Sequence, residues 1–239
     1  MGRVMTRRTS QHIRNATPAK NNAAVSGQRN LRPMAGKRAR GVAVSSPRTF
    51  LPPESWYEPT GEAGTSFEVI VQKPGEGYRH IVSPADVVER LAKLPSWMLE
   101  GLNVVQLSQM TRKKRAFPCY GMQWGSTIYL YPVEIDLVEV FPHPPKPAQR
   151  IEAKQYGARW RQTDGLWRLV WSEEAIRDFY LNNILIHELG HLIDARNTSY
   201  VDRERYAEWF ALEYGYKASR REQLAKKLAA KIAGPAAND

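Results

Sequence analysis

The chain has little cysteine, no long apolar run, and no acid in its first fifth. Cys119 is the only cysteine among 239 residues. No intrachain disulfide can form, so a disulfide-stapled extracellular scaffold is excluded. A reducing compartment is compatible with this, and a cytoplasmic location is the expectation. No stretch approaches the roughly 18 apolar residues of a membrane span. No apolar segment of the signal-peptide kind follows Met1, so secretion is not expected.

Residues 1–53 contain no Asp or Glu, yet they hold eleven of the 35 Lys and Arg. The remaining 24 cations are matched by the chain's 24 acids, so the net charge of +11 belongs to this segment alone. With almost no apolar periodicity and little to bury, residues 1–60 are expected to form a disordered basic tail. The folded domain is then residues 61–239. Its neutral balance argues against reading the domain itself as a nucleic-acid binder. The tail could contact nucleic acid nonspecifically through counterion release. Its Arg-rich, acid-free composition also fits organellar targeting, and Met1–Thr6 fits a myristoylation pattern. A plain charged arm without a specific partner is the reading carried forward.

What the chain does have is His187-Glu188-Leu189-Gly190-His191, set in an apolar run. Ile176, Phe179, Tyr180, Ile184, Leu185, Ile186, Leu189, Leu192 and Ile193 cover nearly every face of the helix this predicts. Such a helix is buried. Positions i and i+4 lie one above the other, so two imidazoles can grip one ion from the same side. Glu188, beside the first ligand, can take a proton from a water at that ion. Leu189 and Gly190 bring neither charge nor bulk that would obstruct packing. Two histidines and a glutamate buried without partners would be costly, and a metal removes that cost.

A third ligand is sought on the next predicted helix. Glu208 stands inside an aromatic and alanine stretch, an unusual place for a carboxylate. Here the chain resembles the gluzincin group of zinc metallopeptidases over about residues 173–215. Members carry H-E-x-x-H on one helix and a glutamate ligand on the next, often as E-x-F-A. Glu208-Trp209-Phe210-Ala211 matches that pattern and is similar to the stretch found in lethal factor peptidase domains. The resemblance implies one Zn2+ per chain held by His187, His191 and Glu208, with Glu188 as general base. Glu204, one turn earlier on the same face, is the rival. It lies in a charged Asp-Arg-Glu-Arg run that reads as a solvated helix start, so Glu208 is preferred. Related peptidases place an oxyanion-stabilising tyrosine before the glutamate helix, which points to Tyr200. Tyr206 and Tyr214 compete, and packing accounts for all three. Asp194 reads either as an acceptor orienting a ligand histidine or as a helix-end acid. Cys119, His12, His80 and His143 read as without role, and Trp160, Trp167 and Trp171 as hairpin packing.

Elsewhere the pattern is punctuated clearly. Phe67–Gln72, Asn103–Ser108 and Gly125–Pro132 read as strands. Ser83-Pro84-Ala85-Asp86 starts a helix. Thr111–Arg115 reads as a basic loop. Asp164-Gly165 between β-formers predicts a hairpin, and Ser172-Glu173-Glu174 caps the metal helix. Gly215 reads as a helix end and Ser219–Glu222 as the capping box of a last helix. The expected fold is α+β. It is a small zincin-like core in which the edge strand of a mixed sheet lies over a cleft, with residues 126–131 the candidate. Residues 133–171 form an insertion that departs from the minimal pattern. Two functions follow. One is a zinc metallopeptidase acting on a protein or peptide. The other is a non-catalytic zinc-binding regulatory protein of the same fold, tethered by its tail. Glu188 favours the first, since a structural site needs no base.

Overall fold

A computed structural model describes residues 67–116 and 119–233; the expected tail lies outside the described residues. Four strands make the main sheet: β1 (Glu68–Val71), β3 (Val104–Leu107), β4 (Gly121–Trp124) and β5 (Thr127–Leu130). Their order is β1-β3-β5-β4. β1, β3 and β5 are mutually parallel, and β4 returns antiparallel beside β5. Every residue of β3 and β5 is buried. This is the pattern of strands with neighbours on both sides and cover on both faces. The α1 helix (Pro84–Ala92) crosses from β1 toward β3; it starts where expected, and Ser83 and Asp86 close a capping box there.

The expected edge strand is corrected here. Residues 126–131 contain the interior strand β5, and the edges are β1 and β4. Gly125, at φ +56°, turns the chain tightly enough to lay β4 outside β5. Gly121-Met122-Gln123-Trp124 carries too few β-branched residues to announce a strand on its own.

The insertion builds a separate antiparallel sheet, β7 (Val138–Phe141), β9 (Leu166–Val170) and β8 (Arg159–Thr163), in the order β7-β9-β8. Asp164 and Gly165 both take positive φ, 54° and 73°, as the two-residue hairpin predicted. The α3 helix (Pro147–Tyr156) precedes it. A short pair, β2 (Tyr78–Arg79) and β6 (Val133–Glu134), completes the strands. Thr111–Arg115 is not a loop, because Arg112–Ala116 forms the short helix α2.

The helix that carries His187 and His191 is continuous from α4 (Glu173–Phe179) through a π-helical segment, Tyr180–Ile184, into α5 (Leu185–Ile193). Ser172 caps it through the Ala175 N–H. Then come α6 (Tyr200–Phe210), a second π-helical segment, Ala211–Lys217, and α7 (Ala218–Ala233). Gly215 therefore does not end a helix, and Ser219 is not a cap. A Cβ built on Gly215 would lie 2.0 Å from the Asn182 carbonyl oxygen. The residue is glycine because the two π segments touch there. The contacts Asn182–Gly215, Gly190–Ala207 and His191–Arg203 run in opposite order along the two helices, so α5 and α6 are antiparallel.

Candidate metal centre

His187 and His191 stack along α5 with their Nε2 atoms 3.1 Å apart. Across from them, Glu204 of α6 places Oε1 3.3 Å from His191 Nε2 and Oε2 3.7 Å from His187 Nε2. These three residues form the one His/Cys/Asp/Glu group of metal-holding geometry among the described residues. Ligands at zinc-like distances in a tetrahedral shell stand roughly 3.3 Å from one another. The three spacings here scatter about that value, so the donor set fits an ion.

The carboxylate that the structure brings to the two histidines is Glu204, where the sequence pattern pointed to Glu208. The cause is helix register. A Cβ on Gly190 would lie 3.0 Å from Ala207 Cα and 3.1 Å from Phe210 Cβ, so α5 and α6 are in close contact at that point. Ala207, Phe210 and Ala211 fill the face toward the core, and Glu204 shares it, one turn before Ala207 and Glu208. Glu208 is exposed and lies four residues beyond Glu204, about 6 Å along the axis. Its charge still acts on His187, but it does not join the cluster. The charged run around Glu204 looked solvated because Asp202 and Arg205 are exposed, whereas Glu204 between them is buried. Arg203 is also engaged, donating to the His191 carbonyl at 3.0 Å and tying α6 to the end of α5.

Glu188 is buried, and its Oε1 has no hydrogen-bond partner among the described residues. It faces the edge strand: a Cβ on Gly121 would lie 3.0 Å from that oxygen and 2.6 Å from Ile184 Cγ2. Glycine at 121 lets β4 approach the acid. Burial pushes the Glu188 carboxyl up, against the opposing pull of His187, His191 and the Gln123 backbone N–H. Burial also works against the charge of His187, yet the attraction of Glu204 and the charges of Glu188 and Glu208 outweigh it and raise its pKa. Glu204 is held below the ordinary carboxylate range: burial opposes this, and its bonds to the two histidines prevail.

Tyr200 opens α6 one turn before Glu204, on the same side of the helix. Asp194 orients neither histidine; it is buried, and its Oδ1 accepts from the backbone N–H groups of Arg196 and Asn197, which closes the loop after α5. Reasoning from sequence missed β4 and the role of Gly121. The available signal was Gly121 with Gly125 bracketing a three-residue apolar–polar segment. No protein-family model matches the chain, and neither the curated proteins nor the solved structures contain a match.

Proposed function

We propose that the protein is a zinc-dependent peptidase with His187, His191 and Glu204 as metal ligands and Glu188 as general base. The observation that carries this reading is Glu188 itself. It is a buried carboxylate with an orphaned oxygen, held between two ligand histidines and an open strand edge. A site built only to hold an ion has no use for it, and burying it costs stability. Two imidazoles and one carboxylate leave a zinc ion net positive with a coordination position open.

Zinc, when bound, supplies Lewis acidity toward a peptide carbonyl and its attacking water. Glu188 accepts the proton of that water and returns it to the leaving nitrogen. Tyr200 is the candidate for stabilising the oxyanion, from its place one turn before Glu204. The test is Glu188→Gln, which keeps shape and removes the base. The variant should fold and hold zinc while losing about 10²–10⁴-fold in turnover, or roughly 3–5 kcal/mol of barrier. Equal peptide cleavage by both proteins, in preparations free of other proteases, would refute the mechanism. Zinc binding with no cleavage by either would favour the non-catalytic reading.

A further inference from the structure

The last helix, α7, leaves the body after its first turn. That turn is tied down: Arg220 donates to Asp178 Oδ2 at 2.6 Å, and Lys93, at the end of α1, meets Glu222 at 3.0 Å. Beyond it every residue from Gln223 to Ile232 is exposed. Leu224, Leu228 and Ile232 are 59%, 52% and 86% exposed, so none of them is packed into the core. Steps of four residues set the three on one side of the helix, and Ala225 and Ala229 widen that side. The helix needs no such stripe to stand in water. Ala, Lys, Glu and Gln form helix as well as leucine does and better than isoleucine.

Charge selects what covers the stripe. α7 carries five cations, Arg220, Arg221, Lys226, Lys227 and Lys231, against one acid, Glu222. That acid is already engaged, by Lys93 and by Lys226 at 2.8 Å. At about 100° per residue, Lys227 and Lys231 border the stripe on the Leu224 side, and Lys226 lies past Ala229 on the other. Arg221 heads the stripe one turn before Leu224 and can lay its aliphatic stem along it.

A second copy is a poor occupant. Pairing two such helices sets like charges together, and three aliphatic side chains fall well short of the roughly 800 Å² per partner of a stable interface. Residues 1–53 hold eleven Lys and Arg and no acid, so α7 repels them. A nucleic-acid backbone would take the cations and leave the leucines in water. A protein groove needs larger anchors than two leucines and an isoleucine among alanines. An anionic bilayer surface satisfies both features without a shaped groove: aliphatic side chains enter the acyl boundary while lysines reach the headgroups. The acid-free segment is drawn to the same surface and supplies the second attachment that a short stripe requires. With 16 residues and five cations, α7 is too short and too polar to cross a bilayer, so it lies along the surface.

We infer that the exposed face of α7 docks on an anionic phospholipid bilayer, with Leu224, Leu228 and Ile232 inserted and Lys226, Lys227 and Lys231 on the headgroups. The inference is independent of the peptidase reading. Hydrogen exchange of the full chain tests it, with vesicles of equimolar phosphatidylserine and phosphatidylcholine and with phosphatidylcholine alone. Residues 221–233 should exchange at least about tenfold more slowly with the anionic vesicles and unchanged with the neutral ones. In vesicle sedimentation, Leu224→Gln/Leu228→Gln/Ile232→Gln should weaken binding at least about tenfold, through lost apolar burial. Its melting should match the wild type, because all three side chains are exposed. Lys226→Gln/Lys227→Gln/Lys231→Gln should weaken binding by a similar factor and reduce its sensitivity to salt. Vesicle binding that leaves 221–233 exchanging freely would assign the attachment to the basic segment and overturn the proposal. Equal protection by a DNA duplex would overturn it as a phosphate-backbone contact. A dimer in sedimentation velocity that the leucine variant dissolves would overturn it in favour of a second copy. No binding to anionic vesicles would overturn it in favour of an acidic protein partner.

Discussion

Glu204→Gln against Glu208→Gln is the sharpest test of the site. The glutamine keeps the volume of the side chain but replaces an anionic donor with a neutral amide. Glu204 stands 3.3 and 3.7 Å from the two histidine nitrogens, and Glu208 is outside the cluster. Losing a residue that merely orients a ligand costs about 10–100-fold in metal affinity. Losing a ligand should exceed that, so Glu204→Gln should weaken zinc by more than about 100-fold, or roughly 3 kcal/mol. Glu208 acts on the site only through its charge, from an exposed position, and its variant should change affinity by less than about threefold. Competition with a calibrated chelator gives both affinities, and elemental analysis gives the stoichiometry of one zinc per chain. Melting of the metal-free proteins is the control: Glu204→Gln should also lose about 1–3 kcal/mol, because one of the two carboxylate oxygens facing the buried imidazoles becomes an amide N–H2 and the negative charge is lost. Full zinc affinity in Glu204→Gln with a hundredfold loss in Glu208→Gln would return the ligand to Glu208 and refute the register argument.

Gly190→Ala would ordinarily stabilise a helix interior by about 1 kcal/mol. Here the new methyl meets Ala207 and Phe210 at 3.0–3.1 Å, so the variant should instead be destabilised by about 1–3 kcal/mol and bind zinc more weakly, as calorimetry and the same titration would read. Glu152 provides a pH test. Burial raises its carboxyl to about 7 from an ordinary value of 4.5. The folded state therefore holds this proton more tightly than the unfolded chain, and stability is given up as pH rises from about 4.5 to about 7. The cost above pH 7 is at most about 3 kcal/mol, so urea unfolding should show Glu152→Gln gaining on the wild type between pH 5 and pH 8. A constant difference across that range would exclude the shift.

The elements most legible in the sequence were those with local causes. Ser83 and Ser172 cap their helices through side-chain oxygens that bond N–H groups three residues on, and such signals need no tertiary partner. Asp164-Gly165 turned as expected because positive φ at two successive positions is a property of those residues themselves. His187, Glu188 and His191 were legible because one helix sets their spacing. The third ligand was not. Choosing between Glu204 and Glu208 needs the register of α6 on α5, which is set by close contact at Gly190 with Ala207 and Phe210 and has no local signal. The E-x-F-A match points to Glu208, whereas the group of metal-holding geometry takes its carboxylate from Glu204, one turn earlier on the same helix. Gly215 misled for a related reason: it looked like a helix end, and it is a contact point between two helices.

Both π-helical segments lie where this register is decided. One ends at Ile184, just before α5 begins, and the other starts at Ala211, just after α6 ends. A π turn holds one extra residue, so it shifts every side chain beyond it around the helix axis. Their meeting point is braced from a third element. Arg90 of α1 donates to Asn182 Oδ1 at 2.6 Å and to the Tyr214 carbonyl at 2.5 Å, joining the two segments through one guanidinium. Asn182 Nδ2 in turn bonds Asp178 Oδ1, and Arg220 of α7 bonds Asp178 Oδ2. Burial depresses the Arg90 pKa, against the raising pull of Glu222, Tyr156 and Asp178. A buried cation that satisfies the backbone of one segment and the side chain of the other fixes their relative position. The ligand geometry 3–4 Å across at His187, His191 and Glu204 is therefore set by a polar brace at the opposite end of the same helix pair.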